Sequence, residues 1–320
     1  MRSLLASSAL AANLALCAAA APARSSPAQA SAALQAGEAD KALALLNELP
    51  ATAETHNLRC RVLLTLEHWD AAAGECEQAV RMDGQNSNDH LWLGRALGER
   101  ADRASFLSAY SLGKRVRAEF EAAVQLDPRN ADALSDLGEF YKSAPGMVGG
   151  GVDKANTTAA QLDRVDPARA HQLRGWIAEE QKDYGTAERE LKAAVAADPH
   201  PAFTWMSLAS FYRRRQRWND MNAALQSGVK AAQGDRHAAV ALYNAASVLT
   251  RANRNLPLAA KLLEEYLASP EKTEEAPAFA VHTRLAKLKA QLGDKAGAEQ
   301  ERNAALALAH DYKPALDMKF

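Results

Sequence analysis

With 38 basic and 39 acidic side chains among its 320 residues, the chain carries almost no net charge, and no overall field draws it to nucleic acid or anionic lipid. Hydrophobic residues make up 48% of it but aromatic residues only 6%; alanine and leucine supply the difference, and they favour helices packed closely on helices. The first element in chain order reads as an export leader. Arg2 precedes an apolar stretch from Leu4 to Ala21, and Ala21-Pro22-Ala23 has the small-x-small form of a cleavage site, with cutting after Ala23. Ser7, Ser8 and Asn13 interrupt that stretch, which argues against a permanent anchor. Leu14-Ala15-Leu16-Cys17 approaches a lipoprotein motif, but Leu16 is larger than the Gly, Ala or Ser usual before the cysteine, so lipidation at Cys17 is not expected. No later segment has the ~20 apolar residues that span a bilayer. The expected mature chain is exported, periplasmic or secreted, and not inserted in a membrane. Residues 24–31 read as a flexible linker, and residues 32–320 as one array.

Within that array a small residue recurs in the middle of an apolar helical pattern, at Cys60, Gly94, Gly138, Gly175, Ala209, Ala246 and Ala286, with gaps of 34, 44, 37, 34, 37 and 40 residues. Such self-similarity marks stacked supersecondary units. Asp83-Gly84, Asp127-Pro128, Asp166-Pro167 and Asp198-Pro199 fall where second helices should stop. In Ala168–His200 the first helix carries His171, Gly175 and Ala178, a turn falls near Lys182-Asp183-Tyr184, and the second helix carries Ala187, Leu191 and Ala194 on one face. A large side chain at the recurring small position would hold two antiparallel helices apart.

This pattern resembles the tetratricopeptide repeat (TPR) family, whose units read W-x2-L-G-x2-Y, then A-x3-F-x2-A, then P. Residues 202–235 match with Trp205, Leu208, Ala209, Tyr212 and Leu225, and depart where Met221 and Gly228 replace two alanines. Residues 279–312 match with Leu285, Ala286, Ala298 and Ala305. The resemblance covers residues 32–320 in seven units, or eight when the degenerate stretch Ala30–Pro50 is included. It implies an all-α fold, a curved solenoid of helical hairpins whose first helices line a concave surface. It also implies a non-enzymatic scaffold that binds a protein or peptide there, serving partners in the cell envelope.

Two units are irregular. An insertion near residues 99–113 adds Ser105-Phe106-Leu107 and Tyr110-Ser111-Leu112, and the apolar spacing continues through Val116 and Phe120, so a lengthened helix or an added helical turn is expected. The second insertion, residues 144–151, holds a proline and four glycines, Ala144-Pro145-Gly146-Met147-Val148-Gly149-Gly150-Gly151, which forbid helix. No G-x4-G-K-[ST] string is present, so a long turn rather than a phosphate loop is expected. The string from Tyr141 to Ala155 also looks like a turn in the TPR-like periplasmic component that accompanies TRAP transporters. The alternative it implies is an accessory role in solute transport.

Histidines and cysteines are the residues that tempt a chemical reading. His56, His90, His171 and His282 all fall at the fourth position of a first helix, one per unit. Equivalent positions in adjacent units lie ~10 Å apart or more, too far for a shared metal ion whose ligand atoms sit about 2 Å away. No H-E-x-x-H, G-x-S-x-G or C-x-x-C string occurs, so neither catalytic residues, metal site nor cofactor is expected. Cys60, at the close-packing position of a first helix, and Cys76, on the inward face of the second, can face each other across the hairpin. Either a disulfide or two buried thiols satisfies that placement. Arg213-Arg214-Arg215-Gln216-Arg217 is the one charge run, at the end of a first helix where the dipole favours cations.

First-helix positions expected to face the groove include Arg61, Arg95, Glu139, Trp176, Met206, Arg213, Tyr243 and Arg251. Trp176, Met206 and Tyr243, flanked by arginines, have the anchor-plus-charge character of a peptide-binding hot spot, with packing of Trp176 along the solenoid as the plain alternative.

Overall fold

The computed structural model describes residues 25–235 and 238–320; the expected leader with Cys17 lies outside them. Among the described residues there are seventeen α-helices and no strand. Sixteen of the helices pair in order as eight antiparallel hairpins. These are α1 Pro27–Ala36 with α2 Ala39–Asn47, α3 Ala53–Thr65 with α4 Trp69–Met82, α5 Ser87–Ala101 with α6 Phe106–Leu126, and α7 Ala131–Ser143 with α8 Val152–Leu162. The second half continues with α9 Pro167–Glu180 and α10 Tyr184–Ala197, α11 Ala202–Arg214 and α12 Trp218–Gly234, α13 Val240–Ala252 and α14 Leu256–Ala268, and α15 Ala278–Gln291 and α16 Lys295–Leu308. A short α17, Lys313–Leu316, follows. The result is a TPR-like helical-hairpin solenoid. No helix among the described residues is long and apolar enough to cross a membrane.

Local chemistry sets the helix ends. Thr52, Asn130, Asp166, Asp183 and Asp294 each accept a hydrogen bond from a backbone N–H of the following first turn. The turns inside hairpins repeat one device: Gly37, Glu67, Lys182, Gln216, Asn253 and Gly293 all take positive φ just after the first helix. The first helix begins earlier than the sequence suggests. Pro27 stands in its first turn and Ser26 with Gln29 forms a capping box, so residues 27–31 of the stretch read as linker are helical.

All seven recurring small positions are buried, and they work in two ways. A Cβ added at Gly175 would fall 2.8 Å from Leu191 of the partner helix α10, as expected for closeness within a hairpin. At Gly138 the neighbour is Leu173 of α9, 2.3 Å from an added Cβ, so this glycine lets the next hairpin approach instead. The first insertion leads into the long α6, and residues 145–151 form a turn with a 3-10 segment at Gly146–Val148. That turn packs on α6: Gly149, at φ +100°, lies under Arg117, and Val148 meets Gly113. The Tyr141 hydroxyl donates to Glu121, and Tyr141 thereby joins α7 to α6.

The repeat pattern implies an inner wall left open; in the structure the eighth hairpin also packs on the first. Leu34, Leu46, Val62 and Leu66 share a buried cluster with Phe279, Ala305, Tyr312 and Ala315. The Phe279 and Tyr312 rings meet edge-on with centroids 4.8 Å apart. Gly37 abuts the start of α15 so closely that an added Cβ would lie 2.1 Å from the Ala278 nitrogen. The solenoid is therefore closed on itself through a seam.

Candidate functional site

The first helices face inward, and the side chains they present are largely polar. Four of them carry a histidine that reaches the second helix of a hairpin. His56, His90, His171 and His282 donate through Nδ1 to Glu75, Glu119, Glu190 and Glu301 at 2.6, 2.6, 2.7 and 2.6 Å. Each is a clasp within its own hairpin, so these histidines are structural groups with a polar edge.

One end of the inner wall is covered by the chain itself. The segment between α14 and α15 crosses the concave side, held by Tyr266, whose hydroxyl donates to the Ala276 carbonyl at 2.8 Å and accepts from the Thr273 N–H at 3.1 Å. Arg61 donates twice to Glu274, at 2.9 and 2.7 Å, and stacks 4.9 Å from the Trp92 ring centre. Arg95 stacks on the same ring at 4.6 Å and donates to Asp136 at 2.6 Å. Burial pushes the Glu275 carboxyl up, against the opposing pull of Arg95 and Arg169. Arg61 and Arg95 are both committed to partners in the same chain.

Beyond that segment the wall opens into two adjoining depressions. The first, about 840 Å³, is lined by Asp132, Asp136, Glu139, Asp166, Asp198, Asp235 and Glu275 against Arg95 and Arg169. The second, about 780 Å³, is lined by Lys142, Lys182, Arg214, Arg215, Arg251 and Arg284 against Glu139, Glu179 and Glu180. Glu139, Trp176 and Phe203 belong to both. Opposite charge follows from the helix ends. Asp132 sits in the first turn of α7 and Asp166 caps α9, whereas Lys142, Arg214 and Arg251 occupy the last turns of α7, α11 and α13, each sign matching its end of the macrodipole.

The cations differ in how far they are compensated. Arg214 donates twice to Glu179 at 2.7 Å. Among the described residues Lys142 and Arg251 have no ion-pair partner. Arg213 keeps a buried Nε without a hydrogen-bond partner. Burial, then Arg214 and Arg251 beside it, pull its guanidinium below the usual arginine range, so the local charge is positive and under-compensated.

The remaining expected groove residues divide. Trp176 is half-buried, packs against the two largest core clusters and still lines both depressions, so packing and exposure coexist in one ring. Tyr243 lines the basic depression but is roofed by Arg284, 4.5 Å from its ring centre. Met206 lines the same depression at only 3% exposure, because its Cε fills the space beside Gly228 that an alanine would take. Arg213 is not among the residues that line either depression. Cys60 and Cys76 are joined in a disulfide that ties α3 to α4, with Cα atoms 5.3 Å apart. Sequence reasoning passed over Phe203, an exposed aromatic at 45%, because it stands one turn before Met206, the first position counted on that face of α11. It also missed Glu274 and Glu275, whose segment carries no periodic signal.

No protein-family model matches the chain, and neither does any curated protein. Solved structures similar to it include a thermophilic TPR protein of Thermus thermophilus, at 21% identity and TM-score 0.46 over 62% of this chain and 100% of that one. The Cut9–Hcn1 hetero-tetramer of the APC/C is similar at 13% identity and TM-score 0.42, over 90% of this chain and 53% of that one. The C-terminal part of a TPR repeat-containing protein from Cytophaga hutchinsonii is similar at 16% identity and TM-score 0.42, over 92% and 100%.

Proposed function

We propose that this chain is a non-catalytic scaffold of the cell envelope that holds a segment of another protein across Trp176. The carrying observation is the pair of adjoining depressions of opposite charge that share Glu139, Trp176 and Phe203. Two aromatic rings at the junction supply apolar anchorage, and the charge on either side sets direction. The fitting ligand is an extended or helical segment with basic residues toward the acidic depression and acidic residues, or a terminal carboxylate, toward Lys142 and Arg251. The export reading of residues 1–23 supports the envelope setting. Envelope proteins crosslinked to the wild-type chain and to a Trp176→Ala/Arg251→Glu variant provide the test. A bound segment should lose at least ~10-fold in affinity in the variant. Undiminished capture would overturn the groove assignment. The amino terminus of protein recovered from the envelope should begin at Arg24.

A further inference from the structure

At the seam, away from the groove, side chains able to bind a metal gather from the first two hairpins and the C-terminal turn. Asp40 stands in the first turn of α2, His68 immediately precedes α4, and His310 and Asp311 lie between α16 and α17. The donor atoms of Asp40, His310 and Asp311 all lie within 4.8 Å of one another. His310 already grips Asp40 from its backbone N–H at 2.9 Å and from Nδ1 at 2.8 Å. His68 Nε2 is 3.6 Å from Asp311 Oδ2, too long for a hydrogen bond. It is close to the edge of a tetrahedron around zinc, which for ligand distances of about 2.0–2.1 Å is about 3.4 Å. The other oxygen of Asp311, Oδ1, is buried and accepts no hydrogen bond.

We infer that Asp40, His68, His310 and Asp311 form a site for a divalent transition-metal ion of the zinc class, which locks the first and last hairpins together. Two imidazoles with two carboxylates suit zinc better than calcium or magnesium, which prefer all-oxygen sets. Two carboxylates balance the ion's charge when both histidines are neutral. The ligands are separated by up to 271 positions (Asp40 to Asp311) and come together only in the closed fold, so the ion adds its binding free energy to closure. In the acidic depression Asp136 and Asp132 are already paired with Arg95 and Arg169.

The test uses the full mature chain, stripped with chelator and titrated with zinc chloride by calorimetry, with Tm followed in parallel. One zinc per chain and a Tm rise of several degrees at 100-fold excess over Kd are expected, with magnesium giving no rise. Asp311→Asn keeps shape and removes the charged ligand. It should weaken zinc at least ~100-fold and abolish the Tm rise, and His68→Gln and His310→Ala should do the same. His200→Ala, which removes an exposed His–Asp pair elsewhere at 2.8 Å, should leave both readouts intact. A wild-type chain whose Tm ignores zinc, or an Asp311→Asn chain that responds like wild type, overturns the proposal.

Discussion

Asp89 shows how a single buried carboxyl can make stability depend on pH. It is 2% exposed in the first turn of α5, with the Asn57 amide donating to one oxygen at 2.7 Å and the other oxygen unpartnered. Burial pushes its pKa up to about 6 from 3.8; Asp83 adds to the rise, while the Asn57 bond and His90 oppose it. Since the folded chain holds this proton more tightly than the unfolded one, the contribution to stability is largest below pH 4. It declines as pH rises toward 6 and stays low above that. Two pH units correspond to about 3 kcal/mol at most. Asp89→Asn keeps the Asn57 bond and has no charge to bury. Its urea midpoint should therefore exceed wild type at pH 7, and the gap should close by pH 4. The His–Glu clasps make a second residue-scale case. His56 and His171 stand three hairpins apart, so alanine at each should cost about 1 kcal/mol and the double variant the sum, as urea unfolding will read.

At the level of elements, most of the architecture was legible before any coordinates. The small residues from Cys60 to Ala286 marked the helix crossings, and Asp-Pro and Asp-Gly pairs marked the ends of second helices, because both are consequences of local sterics. The insertion at residues 144–151 was also legible, since a proline and four glycines break a helix whatever surrounds them. What stayed hidden depends on partners distant in sequence. The start of α1 was read as linker because its alanines carry little amphipathic signal, and the short hairpin is stabilised by Phe279 and Tyr312 from the far end. Two predictions belong here. Gln216 is held in a left-handed backbone, φ +56°, in the α11–α12 turn, and its side chain is exposed, so Gln216→Gly should raise stability by about 0.5–1 kcal/mol in a denaturant series. The Cys60–Cys76 bond closes a loop of about 15 residues, and its reduction should lower the unfolding free energy by about 3 kcal/mol, measured with and without reductant.

For the whole molecule, closure changes how the array should unfold. An open solenoid frays from its ends, because each hairpin touches only its neighbours and stability is a sum of local terms. Here the terminal hairpins cover each other, so neither frays without breaking the seam. Arg61–Glu274 adds a cross-link between α3 and the segment before α15, and Tyr312 Oη reaches Glu67 at 3.2 Å. None of this was readable in the repeat pattern, which encodes contacts between successive units and is silent on first-to-last ones. The groove reading has the same gap, since the acidic residue that engages Arg61 comes from 213 residues away. Phe279→Ala separates the two modes of unfolding. The ring is 1% exposed at the centre of the seam, and its loss should cost about 3–5 kcal/mol. In a closed array that loss falls first on the nine-residue α2 and its hairpin partner, which have the least helix of their own to sustain them. Amide exchange in α1 and α2 should accelerate to a local-opening rate in the variant while α9 and α10, half a circuit away, keep wild-type protection. Equal acceleration in all four helices would mean that the seam contributes only to a global equilibrium and that the chain does not unfold as a ring.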